Sequence, residues 1–548
     1  MSQRQEVEKL GLDFWKWRIQ QQPRSHDDIP RLERIENWVP AWSNADVEGY
    51  RFAISEFNER YQSIIFGNIE DSDFDKETWV DYRLIGSAIS RVFWELDHLK
   101  IWQEQPRFYI DQTIGVVFDQ LLAPAVDDSR VSEVAFTLGN TKKILDDGIA
   151  NLTGNAVKEY ASVAIELLTD IDTQIQAMME ALIPLSEPAT AVSLKLVGNE
   201  AIVALIHYKN WLENNLMQMK PIRSVGREKY QWFFDNVALV PYEPEELIAI
   251  GNLEWERAVT LEHITENKYK NLEISLIPTS VEEQVENERT AELGVRSFYE
   301  EQNILSQPNS LKHYLNGSLP PYLLPIKWLG VTDDLTGPSR VDEDGISYVP
   351  KPNNDLPYFY AANARDTRAG IVHEGAHYQQ LAMSWRHQRP LRRFYYDSGV
   401  NEGIAFYNEE LMLAAGLFDD APHSKTVMYN FMKLRAMRVI VDVKLATGLI
   451  DTETATSYLE KKVPMDHGTA HEEAVFFASS PGQALTYQIG KTQIIKLFSD
   501  SIEKQRDKFS MKGFHDYLWY NGNVPLSLLR YEYLDDASEI NLIDRRKK

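Results

Sequence analysis

Apolar residues recur at three- and four-residue spacing between charged positions over most of residues 46–300, for example in residues 81–99. This spacing gathers apolar side chains on one face of a helix and therefore predicts long amphipathic helices. Short segments containing proline separate them. One of these is LVPYEPEE, where Pro244 followed by two glutamates predicts the start of a helix.

The pattern changes over residues 305–370, which are rich in proline, glycine, asparagine and aromatic residues. The segments ISYVP and PYFYA are predicted to be short strands, and helical periodicity returns over residues 371–504. We expect a mainly α fold with a small β element near residues 346–363. Two helical halves, residues 1–304 and 305–548, would flank a deep cleft as one continuous unit, because no repeat or low-complexity linker separates them.

Composition narrows the classes of function. The chain has 548 residues, of which 43% are hydrophobic and 25% charged, as in ordinary globular proteins. It carries 57 Lys and Arg against 82 Asp and Glu, a net charge of −25 that repels a phosphate backbone. We therefore expect no nucleic-acid partner. The chain contains no cysteine, so any metal must be held by histidines and carboxylates.

The sequence start, MSQRQEVEKLGLDFWKW, has charges throughout and no apolar run of signal-peptide length. We expect that no later stretch approaches the roughly 20 apolar residues that span a bilayer. These observations predict a cytoplasmic protein without a membrane partner, and they leave its oligomeric state open.

The sharpest motif is HEGAH, in which His373 and His377 are separated by four positions and Glu374 follows the first histidine. On a helix, residues four apart lie on one face, so both imidazoles can bind one metal ion while the glutamate handles a water molecule. The alternative is a pair of histidines on a solvated helix face.

A catalytic metal needs a third protein ligand. Glu402, in SGVNEGIAFYNEE, follows His377 closely enough to return on a neighbouring helix after the basic loop RHQRPLRR. This loop is predicted to be a solvated turn whose charges pair with nearby acidic residues. Gly403 would allow the two helices to approach closely. The alternative is that Glu402 is a surface residue of an acidic helix, together with Glu409 and Glu410.

Four segments, HEGAH, EGIAFYNEE, SSPGQALTYQIGK and FHDYLWYNGNVPLSLL, resemble the DUF885 family, a group of predicted zinc hydrolases similar to helical gluzincin metallopeptidases. PRFYID, GREKYQWFF and YEPEELIAIG resemble the family's N-terminal half, so the resemblance covers nearly the whole chain. It implies that His373, His377 and Glu402 bind one Zn²⁺ per chain and that Glu374 is the general base. Such a ligand set also accepts cobalt or manganese.

The resemblance also implies that Tyr487 hydrogen-bonds the developing oxyanion, a role that a phenol donor can fill. The alternative for Tyr487 is an aromatic side chain packed in a helix. Gln483, one turn earlier, is a weaker candidate for hydrogen bonding to substrate.

The chain departs from the family pattern at several positions. The motif lacks two residues, Pro-Gly, that many members carry before the second histidine. Phe476 and Phe477 replace an Arg-Tyr pair, and Gln488 replaces a lysine. Asp442 is retained in a further element whose histidine is replaced by Ala446. These differences predict a pocket lined by phenylalanine and a more apolar or specialised substrate.

Other candidates each have a structural alternative. His467 and His471 form a second H-x-x-x-H pair that could bind a metal or assist Tyr487, although the glycine between them makes a continuous helix doubtful. Tyr360 lies in a predicted edge strand that either pairs with an extended substrate or packs on the HEGAH helix. Arg530 either binds a substrate carboxylate or forms a structural salt bridge.

The sequence therefore predicts a zinc-dependent hydrolase that cleaves an amide or peptide bond in a peptide or small amide-like substrate. One alternative is a specialised zinc enzyme that hydrolyses or rearranges a single metabolite. The other is a metal-binding scaffold without activity.

Overall fold

The computed structural model of the protein describes residues 2–25, 32–67, 74–463 and 465–547. The chain is 71% helical with a small β element, which confirms the mainly α fold. The first α-helices in chain order are α1 Gln3–Gln21, α2 Asn44–Ser63, α3 Lys76–Phe93, α4 Ile101–Glu104, α5 Pro106–Ile110, α6 Val116–Leu122, α7 Asp128–Leu152, α8 Lys158–Leu167, α9 Ile171–Leu182, α10 Pro188–Asn215, α11 Arg227–Phe233, α12 Pro244–Tyr269 and α13 Val281–Glu301. They are followed by α14 Tyr358–Arg365, α15 Arg368–Gly370, α16 Ala376–Ser384, α17 Pro390–Phe394, α18 Ser398–Ala415, α19 Pro422–Ala446, α20 Thr452–Lys462, α21 His467–Ser479, α22 Thr486–Gln505, α23 Met511–Tyr520, α24 Leu526–Leu534 and α25 Ser538–Arg546. The π-helical turns are Trp94–His98, Asp111–Gly115, Phe234–Ala238 and Ile371–Gly375.

The chain groups into two compact units, each made of several segments. One contains Met1–Ile65, Ile89–Arg223 and Leu319–Asp334, and the other contains Phe66–Ala88, Ser224–Ser318 and Leu335–Lys548. The division into halves at residue 304 and the cleft between them stay predictions. All the candidate site residues lie in the second unit.

The predicted helix start at Pro244 is confirmed, because α12 begins at this residue. Proline fits the first turn, where its missing N–H would have no partner within the helix. The backbone N–H of Glu243 donates to the Glu246 side chain at 2.8 Å, and the Glu243 side chain accepts in return from the first turn. This reciprocal cap satisfies backbone donors that the helix itself leaves free.

The strand predictions hold in part. Strands β1 Tyr314–Ser318, β2 Asp333–Asp334 and β3 Gly345–Val349 are short, and β1 pairs with β3 in parallel from Tyr314 opposite Gly345 to Ser318 opposite Val349. Strand β3 confirms ISYVP, whereas PYFYA is not a strand and begins helix α14. Proline before the first turn and the alanines that follow the aromatic residues favour the helix there.

Two glycines set the distance between α18 and α22, which pack along each other. A Cβ atom at Gly490 would collide with the carbonyl oxygen of Gly399, and one at Gly403 would lie 2.7 Å from the Cα of Gly490. Gly403 therefore allows α18 to approach α22. This corrects the expectation that it faces the HEGAH helix.

The basic segment after α16 is a turn only in its first half. Its second half lies in α17, where Arg392 is only 2% exposed, and its charges pair with acidic residues as predicted. The Arg392 Nε donates to Asp81 at 3.0 Å and its Nη2 donates to Glu532 at 2.6 Å, while the Arg389 Nε donates to Asp81 at 2.6 Å. Buried carboxylates from distant parts of the sequence supply the partners that a buried guanidinium requires.

One helical stretch of the described residues, Pro188–Gln218, is long and apolar enough to cross a membrane. This corrects the sequence-based expectation that no such stretch exists. Core helices of soluble proteins share this length and composition. The absence of a membrane partner stays a prediction.

Candidate metal centre

The HEGAH motif lies where the π-helical turn Ile371–Gly375 passes into α16. His373 and His377 are 4% and 2% exposed, and their ring centroids are 4.9 Å apart. The side-chain amide of Asn408 on α18 donates to the carbonyl of Val372 at 2.7 Å, which ties α18 to the start of the motif. Glu374 is half-buried beside His373.

Glu402 on α18 completes a compact set of ligand atoms. Its Oε2 lies 3.5 Å from the Nε2 of His373 and 3.3 Å from the Nε2 of His377. One ligand atom from each of the three residues lies within 4.8 Å of the other two, and all three residues are buried. The structure therefore brings together the three residues that the sequence predicted as ligands.

The carboxylate of Glu402 is placed to bind a cation. The Oε2 of Glu402 is buried and has no hydrogen-bond partner among the described residues. A buried carboxylate oxygen without a partner is costly, and a metal ion between it and two imidazole nitrogens removes that cost. Two histidines and one carboxylate are a typical donor set for catalytic zinc.

The electrostatics of the group are strongly coupled. Burial alone would raise the pKa of Glu402, but His377 and His373 hold it well below its ordinary value. Burial alone would lower the pKa of His373, but the carboxylates of Glu402 and Glu409 raise it to about 9. The site therefore favours an ionised carboxylate facing positive charge, whether the charge is a proton or a metal ion.

Glu409 contacts the far side of His373 and is not a surface residue. It is 1% exposed, and its Oε1 lies 2.6 Å from the Nδ1 of His373. Arg435 on α19 binds both oxygens of Glu409, at 3.0 Å and 3.2 Å. The sequence reasoning missed this role, although Glu409 follows Glu402 by seven residues, which is two helical turns and the same face. No local signal marks Arg435.

Tyr487 lies beside the first histidine. Its ring is nearly parallel to the ring of His373, with centroids 6.1 Å apart, and it is half-buried. The guanidinium carbons of Arg435 and Arg438 lie 5.2 Å and 5.4 Å from the centroid of the Tyr487 ring. Helix α19 therefore places two cations beside this tyrosine.

Gln483 is held against the start of α18, because its Nε2 donates to the Oγ of Ser398 at 2.6 Å. The loop that carries Gln483 is bound by the buried carboxylate of Asp442. That carboxylate accepts from the backbone N–H of Gly482 at 2.9 Å and of Leu485 at 3.3 Å. The retained aspartate thus fixes the segment that leads into α22 and Tyr487.

The structure places the second histidine pair and Tyr360 differently from the predictions made from the sequence. Asp466 caps α21, so the helix is continuous from His467 through His471, contrary to the doubt raised by the glycine. The His467 side chain is 77% exposed, and His471 is also exposed. Neither belongs to the metal-ligand group. Tyr360 lies in the first turn of α14, with its ring 6.1 Å from that of Phe359.

The remaining candidates contribute to packing and ion pairing. Phe477 is 1% exposed in an apolar cluster, and Phe476 packs against the same cluster, so these phenylalanines fill core. Arg530 is 7% exposed and pairs with Asp500 at 2.5 Å and Asp536 at 2.7 Å. Arg530 therefore has the structural salt bridges that formed its alternative interpretation.

The fold and this group define a mainly helical protein with a candidate metal site of two histidines and one glutamate. Residues 330–532 match the model of the DUF885 family, described as a bacterial protein of unknown function. All four segments from HEGAH to FHDYLWYNGNVPLSLL lie within that range, so the match supports the resemblance there. The N-terminal segments lie outside it. No curated protein matches the chain.

Solved structures resemble the chain over nearly its whole length. A candidate lipoprotein of unknown function from Shewanella oneidensis is 16% identical with a TM-score of 0.71, over 97% of this chain and 100% of that one. A candidate lipoprotein from Colwellia psychrerythraea is 16% identical with a TM-score of 0.74, over the full length of both chains. At this identity, the likeness shows a shared fold.

These names contradict the cytoplasmic location that we expected from the sequence start. Lipoproteins are attached to membranes, and both structural relatives carry that description. The cytoplasmic assignment is therefore withdrawn.

Proposed function

We propose that this chain is a zinc-dependent hydrolase of amide or peptide bonds, of the gluzincin type. The observation that supports it most is the buried group of His373, His377 and Glu402, with ligand atoms within 4.8 Å of one another. A zinc ion held there would supply a Lewis acid that polarises the substrate carbonyl and makes water more acidic.

The protein's own side chains would handle the protons. Glu374 takes a proton from the attacking water and delivers it to the leaving amine, since its carboxylate follows the first ligand directly in the chain. Tyr487 donates its phenol hydrogen to the oxygen that becomes negative in the transition state. The two arginines beside its ring favour negative charge near that position.

The geometry favours this reaction over a specialised metabolite enzyme. That alternative depended on a phenylalanine-lined pocket that has lost polar groups of the family pattern. Phe477 is instead a core residue, and Arg435 and Arg438 lie beside Tyr487. Peptides and simple amides are therefore the substrates to screen first.

The test is the Glu374→Gln variant, assayed with a panel of free and blocked peptides. We expect turnover to fall roughly a hundred- to ten-thousand-fold, because proton transfer is lost, while the metal content stays at the wild-type level. Glu286→Gln, an exposed glutamate on α13, is the matched control and should keep full activity. Wild-type turnover by Glu374→Gln would refute the assignment.

A further inference from the structure

The two histidines of the metal group differ on the side that faces away from Glu402. The Nδ1 of His373 lies 2.6 Å from a carboxylate oxygen of Glu409, whereas the Nδ1 of His377 has no hydrogen-bond partner among the described residues. On this side, one histidine is therefore held by a charged partner, and the other has no hydrogen bond among the described residues.

Glu409 is itself held by an arginine. Arg435 is 8% exposed and binds both oxygens of Glu409, in the two-pronged geometry that fixes a carboxylate most firmly. The same guanidinium packs on the ring of Phe406 at 4.7 Å and on the ring of Tyr487 at 5.2 Å. Arg435 thus contacts both the support of a metal ligand and the candidate oxyanion donor.

We propose that Glu409 and Arg435 are the positioning pair of this site: Glu409 accepts the Nδ1–H of His373 so that Nε2 faces the metal, and Arg435 holds Glu409 in place against Tyr487. This inference rests on the proposed metal site. A carboxylate on the far nitrogen fixes the tautomer and the ring orientation of a ligating histidine and strengthens it as a donor. Arg435 keeps that carboxylate from becoming a buried, unpaired charge.

The pair makes a specific prediction about metal affinity. Glu409→Gln should raise the dissociation constant for Zn²⁺ about ten- to a hundredfold, because the neutral amide supports His373 weakly and leaves Arg435 unpaired beside it. Arg435→Lys keeps the charge and loses the two-pronged contact, so it should weaken Zn²⁺ binding by a smaller factor in the same direction.

The experiment is a competition titration of the purified chain with Zn²⁺ and a chromophoric chelator, repeated with Co²⁺ so that its visible spectrum reports ligand geometry. Glu410→Gln removes the neighbouring carboxylate, which pairs with Lys491 and Arg257, and should leave the metal affinity unchanged. Arg435→Lys provides the reading if Glu409→Gln does not fold.

The outcomes separate this inference from the proposed function. Weaker Zn²⁺ binding and an altered Co²⁺ spectrum in Glu409→Gln or Arg435→Lys, with Glu410→Gln like the wild type, support the positioning pair. Wild-type affinity and spectrum in both variants overturn it while the metal site stands. A wild-type chain that binds neither metal overturns the proposed function, and the inference falls with it.

Discussion

At the scale of single residues, Tyr487 is the side chain whose surroundings say most about the proposed chemistry. Its ring lies parallel to the ring of His373, and two guanidinium groups lie within 5.4 Å of its centroid. Positive charge beside a phenol makes the hydroxyl a stronger donor to a developing anion.

Tyr487→Phe tests that role. We expect kcat to fall roughly a hundred- to a thousandfold with little change in KM, because the hydrogen bond strengthens only in the transition state. Tyr358→Phe, a tyrosine that is 56% exposed on α14, is the control and should behave as the wild type. Equal kcat in the Tyr487→Phe variant would mean that this ring only packs.

His515 makes the protein sensitive to acid at a position outside the metal group. It is fully buried, its Nδ1 donates to the carbonyl of Ile304 at 2.8 Å, and its Nε2 accepts from the hydroxyl of Tyr407 at 2.9 Å. Burial lowers the pKa of His515 from 6.5 to about 4. The unfolded chain therefore binds a proton at this residue between those two values, while the folded chain does not.

Stability should consequently fall as the pH drops from about 6.5 to 4, by up to roughly 3 kcal/mol from this residue. The measurement is the melting temperature at several pH values for the wild type and for His515→Gln, whose amide does not titrate. His207→Gln, an exposed histidine on α10, is the control. The same acid dependence in all three proteins would show that His515 does not contribute.

At the scale of elements, the crossing of α18 and α22 places Glu402 next to the helix of Tyr487. The crossing is close because Gly403 and Gly490 face each other without side chains. The sequence pointed to Gly403 as a contact residue, but only the fold shows that its partner is α22. Helix contacts between segments far apart in sequence leave no local pattern from which the partner can be read.

Gly490→Ala should destabilise the protein by at least roughly 2 kcal/mol, because the new methyl group collides with the carbonyl of Gly399. Gly294→Ala is the matched control. It lies within α13, a Cβ there meets nothing within 4 Å, and the change should stabilise the helix by roughly 1 kcal/mol. Thermal melting distinguishes the two, and equal melting temperatures would contradict the close crossing.

The helices and their contacts also show how much of the structure the sequence could predict. Helical periodicity, the start at Pro244 and the histidine pair follow from local spacing, and the structure places the pair beside Glu402, the predicted third ligand. The exceptions depend on tertiary contacts. PYFYA has strand-like composition but lies at the start of a helix. Arg392 lies in a polar segment, yet it is buried against carboxylates from distant parts of the sequence. Glu409 likewise gains its role only from His373 and Arg435.

At the scale of the whole molecule, the fold is shared with proteins whose sequences differ widely from this one. Two structures that are only 16% identical match 97% and 100% of the chain, whereas the family match covers residues 330–532. A helical core tolerates exchange of apolar residues as long as their pattern and volume are kept. The segment with a recognisable family match is the one that contains the metal group.

Metal content tests the central claim most directly. The purified wild type should contain close to one zinc per chain by elemental analysis, and His373→Ala/His377→Ala should contain none. His467→Ala/His471→Ala removes the exposed pair with the same spacing and should keep the metal. A wild-type chain without divalent metal after zinc reconstitution, or zinc retained in His373→Ala/His377→Ala, would contradict the assignment of this site.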